Sequence, residues 1–129
     1  MRKYLSLLVA FSFILTIGAA LSAGASESGT SPKTVSMVGY LIDRACAIPN
    51  KDNLDSYVLT HPKECALAPN CMASGYMLYS EGKLYSLDEE TNKKVIKFLK
   101  KPKSKLHVKA QAIHGEGDNL KITSLSNAE

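Results

Sequence analysis

Tyr76-Met77-Leu78-Tyr79-Ser80-Glu81-Gly82-Lys83-Leu84-Tyr85-Ser86-Leu87-Asp88-Glu89-Glu90 is the stretch whose reading decides the fold. Residues 76–79 and 83–87 are two short β-rich runs flanking Glu81-Gly82, which predicts a hairpin with Gly82 as its left-handed turn residue. Asp88 stands where a helix N-cap belongs, and Glu89 and Glu90 suit the positive end of the helix. Lysines gather toward about Lys100 and Pro102 lies just beyond, so the helix ends there. Its apolar stripe is Val95, Ile96, Phe98 and Leu99. A hairpin followed at once by a capped helix is the centre from which the rest of the chain is read.

Downstream, residues 105–113 return to a period of two: Leu106, Val108, Ala110 and Ala112 share one face. Gly115-Glu116-Gly117-Asp118 makes a turn, and Leu120 and Ile122 open a last strand. Upstream, residues 34–42 carry two interleaved apolar sets, as in a strand covered on both faces, with Gly39 marking a bend. Residues 44–53 read as loop and residues 54–59 as a short helical turn. Pro62 favours a helix start with His61 at its cap, and Pro69 breaks that helix, leaving Cys65 and Cys71 on opposite sides.

The order strand, insertion, strand, strand, helix, strand, strand predicts a mainly β chain with helices. It fits a five-stranded OB-fold-like barrel with a cysteine-containing helical insertion between strands 1 and 2. Small alanines along the fourth strand suit a crowded barrel interior. The alternative is an α+β two-layer sandwich.

Arg2 and Lys3, an apolar run over residues 5–20 and the small residues Ala23-Gly24-Ala25 read as a signal peptide over residues 1–25, cleaved before Ser26 or after Ala23. Ser12, Thr16 and Gly18 interrupt the run, so no permanent membrane span is expected after cleavage. Residues 26–33 read as a flexible lead-in and residues 34–126 as a single domain. Removal of Arg2 and Lys3 lowers the formal charge from +4 to +2. The expected location is secreted or periplasmic, an oxidising setting in which exposed thiols do not stay free.

That setting makes the odd cysteine count informative. Cys46, Cys65 and Cys71 fall within 26 residues, with His61 four positions before Cys65. Three thiolates and one imidazole form a Cys₃His set that satisfies tetrahedral Zn²⁺, and three soft sulfurs suit Cu⁺ equally. Asp43, three residues before Cys46, suits a turn cap or a group orienting a ligand from behind. One disulfide beside a buried free cysteine competes with the metal reading. Loop entropy gives about 2.3 kcal/mol for joining Cys65 to Cys71 and about 3.3 to 3.5 for joining Cys46 to either, too small a gap to select a pair. A third reading is thiol redox work at Cys65, weakened by the absence of Cys-x-x-Cys. Haem attachment lacks its Cys-x-x-Cys-His motif.

Eight lysines occupy residues 93–109, from Lys93 to Lys109, with no acid among them. They suit an anionic envelope component or simply a solvated helix face. Nucleic acid is not expected, because no aromatics interleave with the lysines and the chain is exported. Tyr76, Tyr79 and Tyr85 either line a ligand face or pack half-buried with their hydroxyls in water. No catalytic constellation is legible, so a binding module is favoured over an enzyme.

The run Gly39-Tyr40-Leu41-Ile42-Asp43-Arg44-Ala45-Cys46, with His61, Cys65, Cys71, Gly75-Tyr76 and Leu84-Tyr85-Ser86-Leu87, resembles small exported bacterial proteins of uncharacterised function. The resemblance covers most of residues 34–125 and implies that the cysteine set acts together, in a metal or redox role. In export and barrel layout the chain is also similar to the OB-fold periplasmic haem chaperone of cytochrome c maturation. That family's His-x-x-x-Tyr motif is missing, because Asp118 stands four residues after His114, so covalent haem is not implied. The sequence as a whole points to an exported binding module with a cysteine-centred site for Zn or Cu. The alternatives are a disulfide-braced interaction domain and a thiol redox protein.

Overall fold

A computed structural model describes residues 31–129 of the chain. The expected signal peptide and residues 26–30 of the lead-in lie outside the described residues. The strands are β1 (Thr34–Asp43), β2 (Tyr76–Ser80), β3 (Lys83–Leu87), β4 (His107–His114) and β5 (Asn119–Asn127). Four short helices, α1 (Arg44–Ala47), α2 (Leu54–Thr60), α3 (Lys63–Ala66) and α4 (Pro69–Ser74), separate β1 from β2, and α5 (Glu89–Leu99) separates β3 from β4.

The five strands close in a ring in the order β1-β2-β3-β5-β4, and β1 completes it by pairing with β4. A single strand can do this because β1 is long. Its residues 34–40 pair with β4 and its residues 40–43 with β2. Gly39 sits at the changeover, where a Cβ would collide with the Tyr79 carbonyl, so only glycine fits. β3 and β5 form the one parallel contact, a short one through Ser86–Asn119 and Leu87–Leu120. An irregularity between Gln111 and Ala112 bends β4 against β5. Such closure differs from an open two-layer sandwich.

The hairpin and the helix after it form as the sequence predicts. Glu81 and Gly82 both take positive φ, at 51° and 75°, giving the turn the twist a two-residue hairpin loop needs. Asp88 caps α5 by accepting from the Thr91 amide at 2.7 Å, and Ser104 Oγ donates to the Leu99 carbonyl at 2.8 Å near its end. Val95 and Leu99 drop from α5 into the ring beside Leu41, Leu78, Val108 and Ile122, all 0–1% exposed. Ala110 and Ala112 are fully buried there, where larger side chains would overfill the interior. Two polar residues fasten the helix: Thr91 Oγ1 accepts from the Ile122 amide at 3.0 Å, and Asn92 Oδ1 from the Tyr76 amide at 2.6 Å.

β1 is covered on both faces only near its end. Val38 is 49% exposed, whereas Leu41, Ile42 and Asp43 are buried. The difference arises because the insertion lies over that end alone. Ile42, Met77 and Tyr79 from the outer face of the sheet meet Ala47, Leu54 and Val58 from the insertion in a second, smaller core. Two tyrosines fasten this layer. Tyr76 Oη donates to the Ala66 carbonyl at 2.5 Å, and Tyr79 Oη donates to Asp55 at 2.6 Å. Tyr76 and Tyr79 are therefore buried, with hydroxyls bound to the protein rather than to water.

Candidate metal centre

The chain leaves β1 at Asp43 and returns to β2 at Tyr76, and everything chemically notable lies between these two points. Residues 44–53, read from sequence as loop, begin with the single turn α1, which Asp43 caps by accepting from the Cys46 amide at 3.0 Å. An N-cap carboxylate bonds the amide three residues on, so the Asp-x-x-Cys spacing places Cys46 one turn from Asp43. Cys46 is the third residue of α1, Cys65 the third of α3 and Cys71 the third of α4. Pro62 and Pro69 set this repetition, one as the N-cap of α3 and the other at the start of α4. The break at Pro69 thus separates Cys65 from Cys71 in secondary structure while turning the chain back.

The result is convergence. The sulfurs of Cys46, Cys65 and Cys71 lie within 4.8 Å of one another. All three cysteines are free thiols, Cys71 buried and the others partly so. A second group, Asp43, Cys46 and His61, is equally close and shares Cys46 with the first. Both groups are compact enough to hold a metal ion.

His61 does not cap the helix that follows it, as its place before Pro62 suggested; Pro62 is the N-cap of α3 and His61 the C-cap of α2. It ends α2, and its ring turns inward so that Nε2 donates to Asp43 Oδ2 at 3.0 Å, the two side chains being 1% and 0% exposed. Tyr57, one turn earlier on α2, stacks on the ring at 5.5 Å between centroids. The neighbouring Cys46 thiol, and then burial, push the Tyr57 hydroxyl up to about 12.

Asp43 is the hub. Besides binding the Cys46 amide and His61, its carboxylate raises the thiols of Cys46 and Cys71. A fully buried carboxylate needs such donors, since an unpaired one is very costly to bury. Burial first, and then the Asp43 charge, push the Cys71 thiol up to about 12. Burial likewise raises Cys46, opposed by the Tyr57 hydroxyl and reinforced by Asp43. In the metal-free protein, protons on sulfur therefore keep negative charge from accumulating around Asp43. A cation among the sulfurs would take over that task, allowing the thiols to ionise.

Of the residues singled out in the sequence, Cys46, Cys65 and Cys71 come together, and His61 joins Cys46 through Asp43. Asp43, read from sequence as a turn cap or a group orienting a ligand, does cap α1, whereas Tyr57 was not foreseen. The spacing signals existed: Asp43 three before Cys46, and Tyr57 four before His61, which on a helix share a face. No protein-family model matches the chain, and no curated protein or solved structure matches it. Function must therefore be read from these side chains themselves.

Proposed function

We propose that this chain is an exported OB-fold-like binding module that holds one soft metal ion, Zn²⁺ or Cu⁺, in the insertion between β1 and β2. The carrying observation is the approach of three sulfurs, from three separate short helices, to within 4.8 Å of one another. Tetrahedral zinc with Zn–S bonds of about 2.3 Å sets neighbouring sulfurs about 3.8 Å apart, well inside that limit. Cys46, Cys65 and Cys71 supply the thiolates. His61 groups with Cys46 and Asp43 rather than with all three sulfurs, so we propose it as a fourth donor that closes on the ion through Nδ1 while Nε2 stays on Asp43, the arrangement in which a carboxylate orients a ligating imidazole. A bound ion would also protect the thiols in an oxidising compartment.

Two rival uses of the cysteines have less support. In the redox reading Cys46 or Cys71 has to resolve an intermediate formed at Cys65, and both of these thiols are pushed up. A disulfide brace would tie two of the helices but leave the third sulfur, which lies equally close, without a partner.

Native mass spectrometry of residues 26–129, with thiol counting before and after chelation, tests the proposal. One bound zinc or copper and three thiols released by chelator are expected. One fixed disulfide without metal would refute it in favour of the brace.

A further inference from the structure

The lysines of α5 are not all equivalent. Lys93 pairs with Glu89 at 2.8 Å, and Lys94 and Lys121 both pair with Glu90, at 3.0 and 3.1 Å. Among the described residues, Lys97 and Lys101 meet no carboxylate, and both lie along a groove between α5 and β5. The groove encloses about 200 Å³. Its bed is apolar, made by the partly exposed Phe98 and Leu125, and Lys101 Nζ hangs 5.9 Å from the Phe98 ring centroid. On the β5 side, Thr123 and Ser124 add hydroxyls at the level of the β4 irregularity, where Thr123 has no partner in the register.

An apolar trough bordered by two cations without counter-charges is complementary to a molecule with an apolar body and an anionic end. Its volume corresponds to roughly seven liquid waters, so it takes one short chain or one ring and not a patch of bilayer. Unpaired ammonium groups at the rim gain most from an anion that arrives already attached to apolar surface, since burial and charge-assisted hydrogen bonding then act together. We infer that the α5–β5 groove is a binding site for a single-chain amphiphile with a carboxylate or phosphate head, its chain on Phe98 and Leu125 and its head between Lys97 and Lys101. The site is separate from the cysteine cluster and does not depend on a metal.

An NMR titration of residues 26–129 tests this, with octanoate, octyl phosphate, octanol and phosphatidylglycerol vesicles as probes. Octanoate and octyl phosphate are expected to bind saturably, shifting the signals of Phe98 and Leu125, with octanol at least about ten-fold weaker. Lys97→Glu with Lys101→Glu should weaken octanoate by about ten-fold or more, while Lys109→Glu, on an exposed part of β4 outside the groove, leaves it unchanged. All these lysines are exposed, so folding is not at stake. Octanol binding as tightly as octanoate, indifference to the double charge reversal, or association with vesicles and with none of the single-chain probes would each overturn the inference.

Discussion

Inside the ring of strands, Leu41, Leu78, Val108, Leu120 and Ile122 are at most 1% exposed and bury apolar surface against one another. Across residues 44–74 the helices are only four to seven residues long, too short to hold by themselves, and a small second core supports them. What fixes that region is a set of polar ties: Asp43 to His61 and Cys46, Tyr76 to Ala66, Tyr79 to Asp55. Lys63 Nζ adds one more, donating to the Lys101 carbonyl beyond α5 at 3.3 Å. The comparison teaches that the sheet owes its order to burial, which no proton or ion alters. The insertion adds to a smaller apolar core a set of titratable groups whose state changes with protonation. A site that responds to a ligand belongs in the second kind of region, where local opening costs less than global unfolding.

The largest expected effect lies in the sheet. Leu78→Ala empties a fully buried position and should lower the unfolding free energy by about 3 kcal/mol, measured by urea denaturation. Little loss would mean that the ring is less tightly packed than described. Next comes Asp43→Ala, which leaves His61 and the Cys46 amide without their acceptor and should cost about 2 kcal/mol. The same change should open residues 44–74 to hydrogen exchange more than β4. Equal loosening of both would erase the contrast between the regions.

Alkali probes the insertion selectively. Cys71 and Tyr57 are pushed up to about 12, from ordinary values of 9 and 10, so the folded protein keeps these protons where the unfolded chain has lost them. That stability is fully present below about pH 9 and is lost as pH rises toward 12, by linkage. Hydrogen exchange or near-ultraviolet circular dichroism of the metal-free protein should show the insertion loosening over this window, and constancy to pH 12 would contradict it. The smallest effect is expected for Tyr79→Phe, which removes one hydroxyl from Asp55 and should cost about 1 kcal/mol, felt at α2.

Much of the sheet region was legible in the sequence for a physical reason. Residues 76–99 and 105–113 run long enough for periods of two and 3.6 to separate, and Gly82, Asp88 and Pro102 mark where one gives way to the other. The parallel β3–β5 contact that helps close the ring has no sequence counterpart, because pairing of distant strands is decided by the assembled core. The insertion was less legible: one-turn helices show no period, so residues 44–47 read as loop. The cysteines and His61 were recognisable by residue type alone. Asp43 read as a turn cap or a group orienting a ligand from behind, and it is a cap; its second carboxylate oxygen and its burial, which spacing does not reveal, bring His61 to it. Tyr76 and Tyr79 looked half-exposed because nothing in their own strand reveals that another layer will cover it.

The most direct test is X-ray absorption at the zinc edge of residues 26–129, reduced and loaded with one equivalent of Zn²⁺. Three sulfurs at about 2.3 Å and one nitrogen or oxygen neighbour are expected, the signature of Cys46, Cys65 and Cys71 gathered on one ion. A shell of nitrogen and oxygen without sulfur, or failure of the reduced protein to take up zinc, would contradict the account.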